Sequence, residues 1–550
     1  MVMIKSKVLN DPFLRFSRVT LKTKGCFTFM ARKSLLLLMV LFFCQIAVRA
    51  DVSLFLHEAI GASGEETSAG HAAIYFSNLC SDGPLNLRLC RPGETGVVIS
   101  AYPEWGTDKP YKWLALPLLT YLYGVDDGQD IPLYTNGKVR RLLRTTARRK
   151  YFKDIVAEPT DGSWPKGRWT EALGTVLNRD IYAMTLKTTP QEDAAFLEKF
   201  TQLPNVSNFS TMYRNCADFA RETINLYFPH ATHRDVLNDF TMTTPKALAR
   251  SLTGYASKRP ERLFNITKYS QLSGPIRRSL DNRNFSEHAL FSKKYLIPQI
   301  ILKQELLVVF SASYFLTGYF NPHQQYRKYA NPEIAQLNLA ESQLKQQPRN
   351  QNQRDKIFVN HFVSPETPNP KAELAEIASK RAAVRLRLFG NQQTWDKYKS
   401  DFAPLLQKAI ANELFADEKE VTTFFKDLEL QSDPFVDGNG ALMLKVKAYG
   451  KDYQLGLTRN NILSQESDPT LAYKLMLAKI NYELKAREKN RESMDDFEAD
   501  WALLTELAAR VPHQLAATKP AQHTRPRFLE HPEKKTFGQK LKKAFVIITH

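Results

Sequence analysis

The sequence predicts an α+β protein with a mixed domain over 51–290 and a second, smaller α+β unit over 371–512. Three observations carry this expectation. Short apolar runs bounded by Gly, Ser and Pro read as strands through the first region. Segments with apolar residues three and four apart read as helices beside them. A Gln-, Asn- and Lys-rich stretch then separates this region from a later set of helical patterns around one hairpin-like run. A chain of 550 residues is longer than one core usually holds. Its 43% hydrophobic and 11% aromatic content is enough to build cores, which excludes wholesale disorder.

The elements follow in order. Residues 30–50, MARKSLLLLMVLFFCQIAVRA, place Arg32 and Lys33 before an apolar run from Leu35 to Cys44 and close on Val48-Arg49-Ala50, the layout of an export signal cleaved before Asp51. Signals begin at the initiator, so the basic stretch before Met30 points to a true start at Met30, with 1–50 as signal plus extension. The net charge of +19 falls to +11 without residues 1–50, a basicity that suits an anionic membrane or envelope surface. DVSLFLHEAI, GHAAIYF, GVVISAYP (96–103) and DIYAMTL (180–186) read as strands, and Lys138 to Lys153 as a basic helix. TPQEDAAFLEKFTQL has a Thr cap and helical spacing, and MYRNCADFARETINLYFP contains a helix that Pro229 ends.

From 291 to 323 the chain is apolar, with fifteen residues free of charge from Leu306 to Phe320. That is short of the ~20 a spanning helix needs, so a buried helix or strand pair is expected, with membrane association through 295–320 as the other reading. A polar linker is expected over 324–370, with its Gln-, Asn- and Lys-rich part, 334–356, a solvated helix or linker, and a basic flexible tail over 513–550.

The cysteines locate the chemistry. Without the signal, Cys80, Cys90 and Cys216 remain. Cys80 and Cys90 flank a short polar loop between two strands, and export to an oxidising compartment makes them a local disulfide. Cys216 is then the unpaired thiol. Asn215 is a good cap residue, so Cys216 falls in the first turn of a helix whose Phe219, Ala220, Thr223, Ile224 and Tyr227 form a buried face. The positive helix end is expected to lower the thiol pKa, and its amides, with Asn215 as cap, to receive an oxyanion. A thiolate mechanism needs an imidazole. His71 heads the strand GHAAIYF, where Gly70 lets the chain turn closely; His57 is the second choice.

The Gly70-His71 strand before the Asn215-Cys216 helix resembles the circularly permuted papain-like thiol hydrolases of the NlpC superfamily, including the lecithin retinol acyltransferase-like proteins. VSLFLHEAI, SAGHAAIYF and NCADFARETIN together are also similar to the Lnb N-terminal periplasmic type of domain. The resemblance covers roughly residues 51–290, and implies an antiparallel sheet with the cysteine at a helix N-terminus and a Cys-His hydrolase. Ala217-Asp218-Phe219 replaces the His-rich continuation that members often carry, so acyl transfer is not favoured over hydrolysis. A third polar residue should orient His71. Ser100, Tyr102 and Glu104 lie on or just after one strand, on one face by alternation, and Glu104 or Tyr102 is the expected partner.

Lys138, Arg141, Arg148 and Arg149 on the basic helix suit phosphate or lipid headgroups, or a solvated face; export argues against nucleic acid. DPFVDGNGALM around Asp437 lacks the terminal Glu of a calcium loop and reads as a turn. No zinc spacing, phosphate-binding Gly loop or Gly-x-Ser-x-Gly elbow occurs, so neither metal nor cofactor is expected. The expected function is an exported, periplasmic or envelope-associated thiol hydrolase of an amide or ester. Cell-wall peptide is the leading substrate and acyl lipid the second, and a non-catalytic envelope scaffold is the alternative.

Overall fold

Six antiparallel strands form the central sheet, in the order Leu114–Pro117, Val97–Ser100, His71–Phe76, Asp51–His57, Ile181–Lys187 and Asn265–Tyr269. The computed structural model describes residues 50–60, 69–161, 163–240, 242–346, 370–448, 450–490 and 492–517. The expected export signal up to Arg49, residues 347–369 of the expected linker and all but the first residues of the expected basic tail therefore lie outside the described residues. The strands are β1 (Asp51–His57), β2 (His71–Phe76), β3 (Leu79–Gly83), β4 (Asn86–Leu89), β5 (Val97–Ser100), β6 (Leu114–Pro117), β7 (Ile181–Lys187) and β8 (Asn265–Tyr269). β1 is paired on both sides, His57 facing His71 of β2 and Ile181 of β7 across the ladder.

β1 and β2 are nearly continuous apolar runs because both faces of the sheet are covered. On one face Val52, Leu54, Ile74 and Ile99 pack with Ala217, Ala220 and Ile224 of the cysteine helix, Cys216–Tyr227. On the other, Phe55, Ala73 and Val98 pack with Tyr121, Phe152 and Trp169. The polar loop expected between Cys80 and Cys90 is a tight hairpin of β3 and β4, and the disulfide joins the two cysteines. The helix expected after Thr189 spans Pro190–Thr201 behind a complete capping box of Thr189 and Glu192.

Several expectations need correction. The segment 291–323 is not a buried helix or strand pair. It forms two short helices, Lys293–Leu302 and Gln304–Ser313, and a wide turn, Tyr314–Gly318, whose large apolar residues stand mostly in solvent. Over residues 324–346 the helix alternative holds rather than the linker, and the helices are partly buried. Helices Pro322–Tyr329 and Pro332–Gln346 anchor on the first core through Tyr326, Tyr329 and Ile334, apolar positions that the surrounding Gln and Asn mask in the sequence. The basic helix, Gly137–Tyr151, is a solvated face at Lys138, Arg141 and Arg149 but not along its whole length. Arg144 and Arg148 are buried, Arg148 pairing with Glu158, and Lys138 Nζ reaches Asp433 at 2.8 Å. Arg149 also pairs with Glu158, and Arg141 lies over the Trp164 ring.

The later region is α+β, as expected. A three-stranded sheet of β9 (Ser432–Val436), β10 (Leu442–Ala448) and β11 (Lys451–Gly456) packs with helices Gln392–Ala411, Glu418–Gln431, Pro469–Asn490 and Met494–Ala517. Its core also takes in Leu133, Tyr134 and Leu143 from the first region, and Tyr134 donates to the Phe425 carbonyl. The turn at Asp437 is held by its own carboxylate, which accepts from the amides of Asn439 and Ala441.

Candidate active site

The cysteine helix begins where its cap dictates. Asn215 Oδ1 accepts from the amides of Ala217 and Asp218 at 2.9 and 3.0 Å, while its Nδ2 donates to the Thr211 and Thr243 carbonyls. Asn215 thus ties the helix start to two loops and sets Cys216 at its first position. The oxyanion expectation is narrowed by this geometry. Two first-turn amides are engaged by the cap, which leaves the Cys216 amide as the donor the cap does not claim.

β2 starts beside that sulfur. Gly70 holds φ at +84°, and a Cβ there would meet Asn282 Nδ2 at 2.0 Å and the His57 carbonyl at 2.4 Å. Only glycine fits this entry to the strand. The next residues present the His71 side chain and an Ala72 amide that favours charge on the Cys216 sulfur. His71 and Cys216 line the same cavity, of about 640 Å³.

His71 Nε2 lies 2.7 Å from Ser100 Oγ, the last residue of β5. Ser100, not Glu104 or Tyr102, is therefore the hydrogen-bond partner of the imidazole. The strand stops at Ser100, so the alternation expected to carry on to 102 and 104 does not apply. Glu104 is exposed, its carbonyl accepting from the Arg168 amide. Tyr102 contributes differently: its ring stacks on His71 with centroids 4.2 Å apart, and its hydroxyl donates to the Glu171 carbonyl. His57 is buried behind His71, ring centroids 5.2 Å apart, with Nε2 3.3 Å from the Tyr121 hydroxyl, and does not line the cavity.

Arg179 and Glu171 were not singled out in the sequence. Arg179 is buried beside this cluster, with Nη2 3.4 Å from Glu171 Oε2, and its Nε and Nη1 have no partner among the described residues. Glu171 Oε1 accepts from Arg168 at 2.7 Å, and Glu171 and Arg168 both line the cavity. Arg179 and Asp180 stand immediately before an apolar strand, and that position at a buried strand end is the only signal available in the sequence.

Burial, and then the Arg179 charge, hold His57 and His71 well below the usual imidazole value of 6.5. The expected lowering of the Cys216 pKa is overturned. The residue keeps part of its surface open to the cavity, yet desolvation outweighs the Ala72 and Ala217 amides and pushes the thiol up to about 11. At neutral pH the pair is thus thiol and neutral imidazole, suited to proton transfer during attack rather than to a standing ion pair.

No family model, curated protein or solved structure matches this chain.

Proposed function

We propose that the protein is an exported cysteine hydrolase of the permuted papain-like, NlpC-type arrangement, acting on esters or amides whose acyl part is apolar. The observation that carries this reading is the meeting of Cys216 and His71 in one cavity, across 145 residues of chain, with the sulfur at a helix start and the imidazole oriented from behind. The antiparallel sheet, with its histidine strand preceding the cysteine helix, agrees with the resemblance in residues 51–290. The Cys80–Cys90 disulfide suits an oxidising compartment.

In the proposed step Nε2–H of His71 donates to Ser100, which leaves Nδ1 as the base. The Cys216 thiol proton passes to Nδ1 as sulfur bonds to the substrate carbonyl carbon, and the Cys216 amide receives the oxyanion. The intermediate collapses as imidazolium returns the proton to the departing alkoxide or amine. Water, deprotonated by His71, then cleaves the thioester to a carboxylic acid and regenerates the thiol.

Of the two substrate classes the sequence leaves open, the cavity favours the acyl lipid. Ala101, Phe209, Met242, Phe285 and Phe310 face it, walls that hold an alkyl chain better than a hydrated cell-wall peptide. The test is incubation with long-chain and short-chain nitrophenyl esters and with a synthetic cell-wall stem peptide, followed by mass spectrometry of the Cys216 peptide. A long-chain acyl adduct on Cys216 is expected, with hydrolysis falling at least ~100-fold in Cys216→Ala and in His71→Ala. Full hydrolysis by Cys216→Ala would remove the thiol mechanism. Absence of any adduct, with partner binding intact in that variant, would favour the envelope scaffold.

A further inference from the structure

The helix pair Lys293–Leu302 and Gln304–Ser313, with the turn Tyr314–Gly318, departs from normal globular packing. Leu316 is 81% exposed, Phe315 76%, Ile301 69% and Val308 68%, with Ile297, Ile300 and Val309 about half exposed. Among the described residues of the pair only Gln299 and Phe310 are buried, and the local core that Phe310 joins is small. Polar residues are scattered around these helices rather than gathered on one side, and apolar residues occur on every side. Apolar surface all round a helix belongs inside a core or in lipid, yet most of this pair's is in solvent. Contiguous exposed apolar surface of this kind marks an interaction site.

We infer that this tip docks the protein onto an anionic lipid surface, entering its outer layer without crossing it. No helix of the described residues is long and apolar enough to cross a membrane. Three features of the tip select lipid over a protein partner. Its apolar residues point in several directions, which suits a surrounding medium, whereas a protein interface has one apolar centre with a polar rim. Between 292 and 320 the charges are Lys293, Lys294 and Lys303 against Glu305, all exposed, a balance that complements anionic headgroups. Tyr295 and Tyr319 are exposed at the same tip, and amphipathic rings of this type settle at the headgroup level.

The tip is also continuous with the cavity. Tyr295, Gln299 and Phe310 line the space that holds Cys216, so docking would bring its mouth to the lipid surface. The docking surface rests on the hydrolase reading only for this purpose; its exposure and charge stand without it.

The test mixes the purified protein with vesicles of phosphatidylethanolamine and phosphatidylglycerol in equal parts, and with neutral phosphatidylcholine vesicles, and reads flotation. Wild-type and Cys216→Ala proteins are expected to float with the anionic vesicles. The pair Phe315→Asp with Leu316→Asp should bind at least ~10-fold more weakly, while a small water-soluble thiol reagent labels its Cys216 at the wild-type rate. Lys293→Gln with Lys294→Gln should lose binding to anionic vesicles only. Equal flotation of wild-type and Phe315/Leu316 variants, or none by either, overturns the inference, as does self-association through the tip that the Asp variants abolish. Loss of hydrolysis with flotation intact would count against the hydrolase reading alone.

Discussion

The cysteine helix and the helical tip after Lys293 are both rich in apolar residues, yet one is a wall of the core and the other stands in solvent. The cysteine helix has a side-chain cap, a polar side and one apolar stripe through Ala217, Ala220 and Ile224. Within the tip pair neither helix has a side-chain cap, Pro298 interrupts the first, and the apolar residues run all round. The contrast shows that burial follows the arrangement of apolar residues around a helix more than their number. A stripe can be covered by one sheet, whereas a helix apolar on every side needs a surrounding medium.

The comparison is most sharply broken or sustained by truncating one side chain from each region. Ile224→Ala, from a residue 1% exposed, should cost about 2–5 kcal/mol, and Leu316→Ala should change stability by no more than about 0.5 kcal/mol. Denaturant midpoints measure both, and comparable losses would mean the tip is packed in solution.

A smaller effect is expected at the cap. Asn215→Ala should cost roughly 1 kcal/mol through the freed amides of Ala217 and Asp218, read as a lowered melting temperature. An unchanged melting temperature would mean that the helix start does not depend on its cap and differs little from the uncapped tip.

The smallest effect lies in the pH dependence. The folded thiol holds its proton up to about 11, whereas an unperturbed thiol loses it near 9.0. Between these values the folded chain binds more protons than the unfolded one, so the contribution is complete below about 9 and is lost as pH rises toward 11. Cys216→Ala should flatten this part of the alkaline limb of a stability profile, and Leu316→Ala should leave it unchanged. Alkylation of Cys216 that levels off below pH 8 would show instead that the helix end prevails over burial.

What could be read in advance was local. The start of the cysteine helix, the Thr cap of the helix Pro190–Thr201, the Cys80–Cys90 pairing and the turn at Asp437 each depend on residues within about ten positions of one another. The choice of Ser100 over Glu104 and Tyr102 turned on where one strand stops. Arg179 and Glu171 acquired their place through segments far apart in the chain, and the Gln-rich 324–346 segment became helical by finding a surface for Tyr326, Tyr329 and Ile334.

By itself the sequence determined where the capped helices start and where the short turns fall, because caps, turns and side-chain periodicity act between near neighbours in the chain. Tertiary structure alone decided which polar group backs His71, that burial outweighs the helix end at Cys216, and that the segment after Lys293 stays uncovered. Each of these depends on how much water and which charges remain after distant segments have packed, and solvation is a property of the assembled interior.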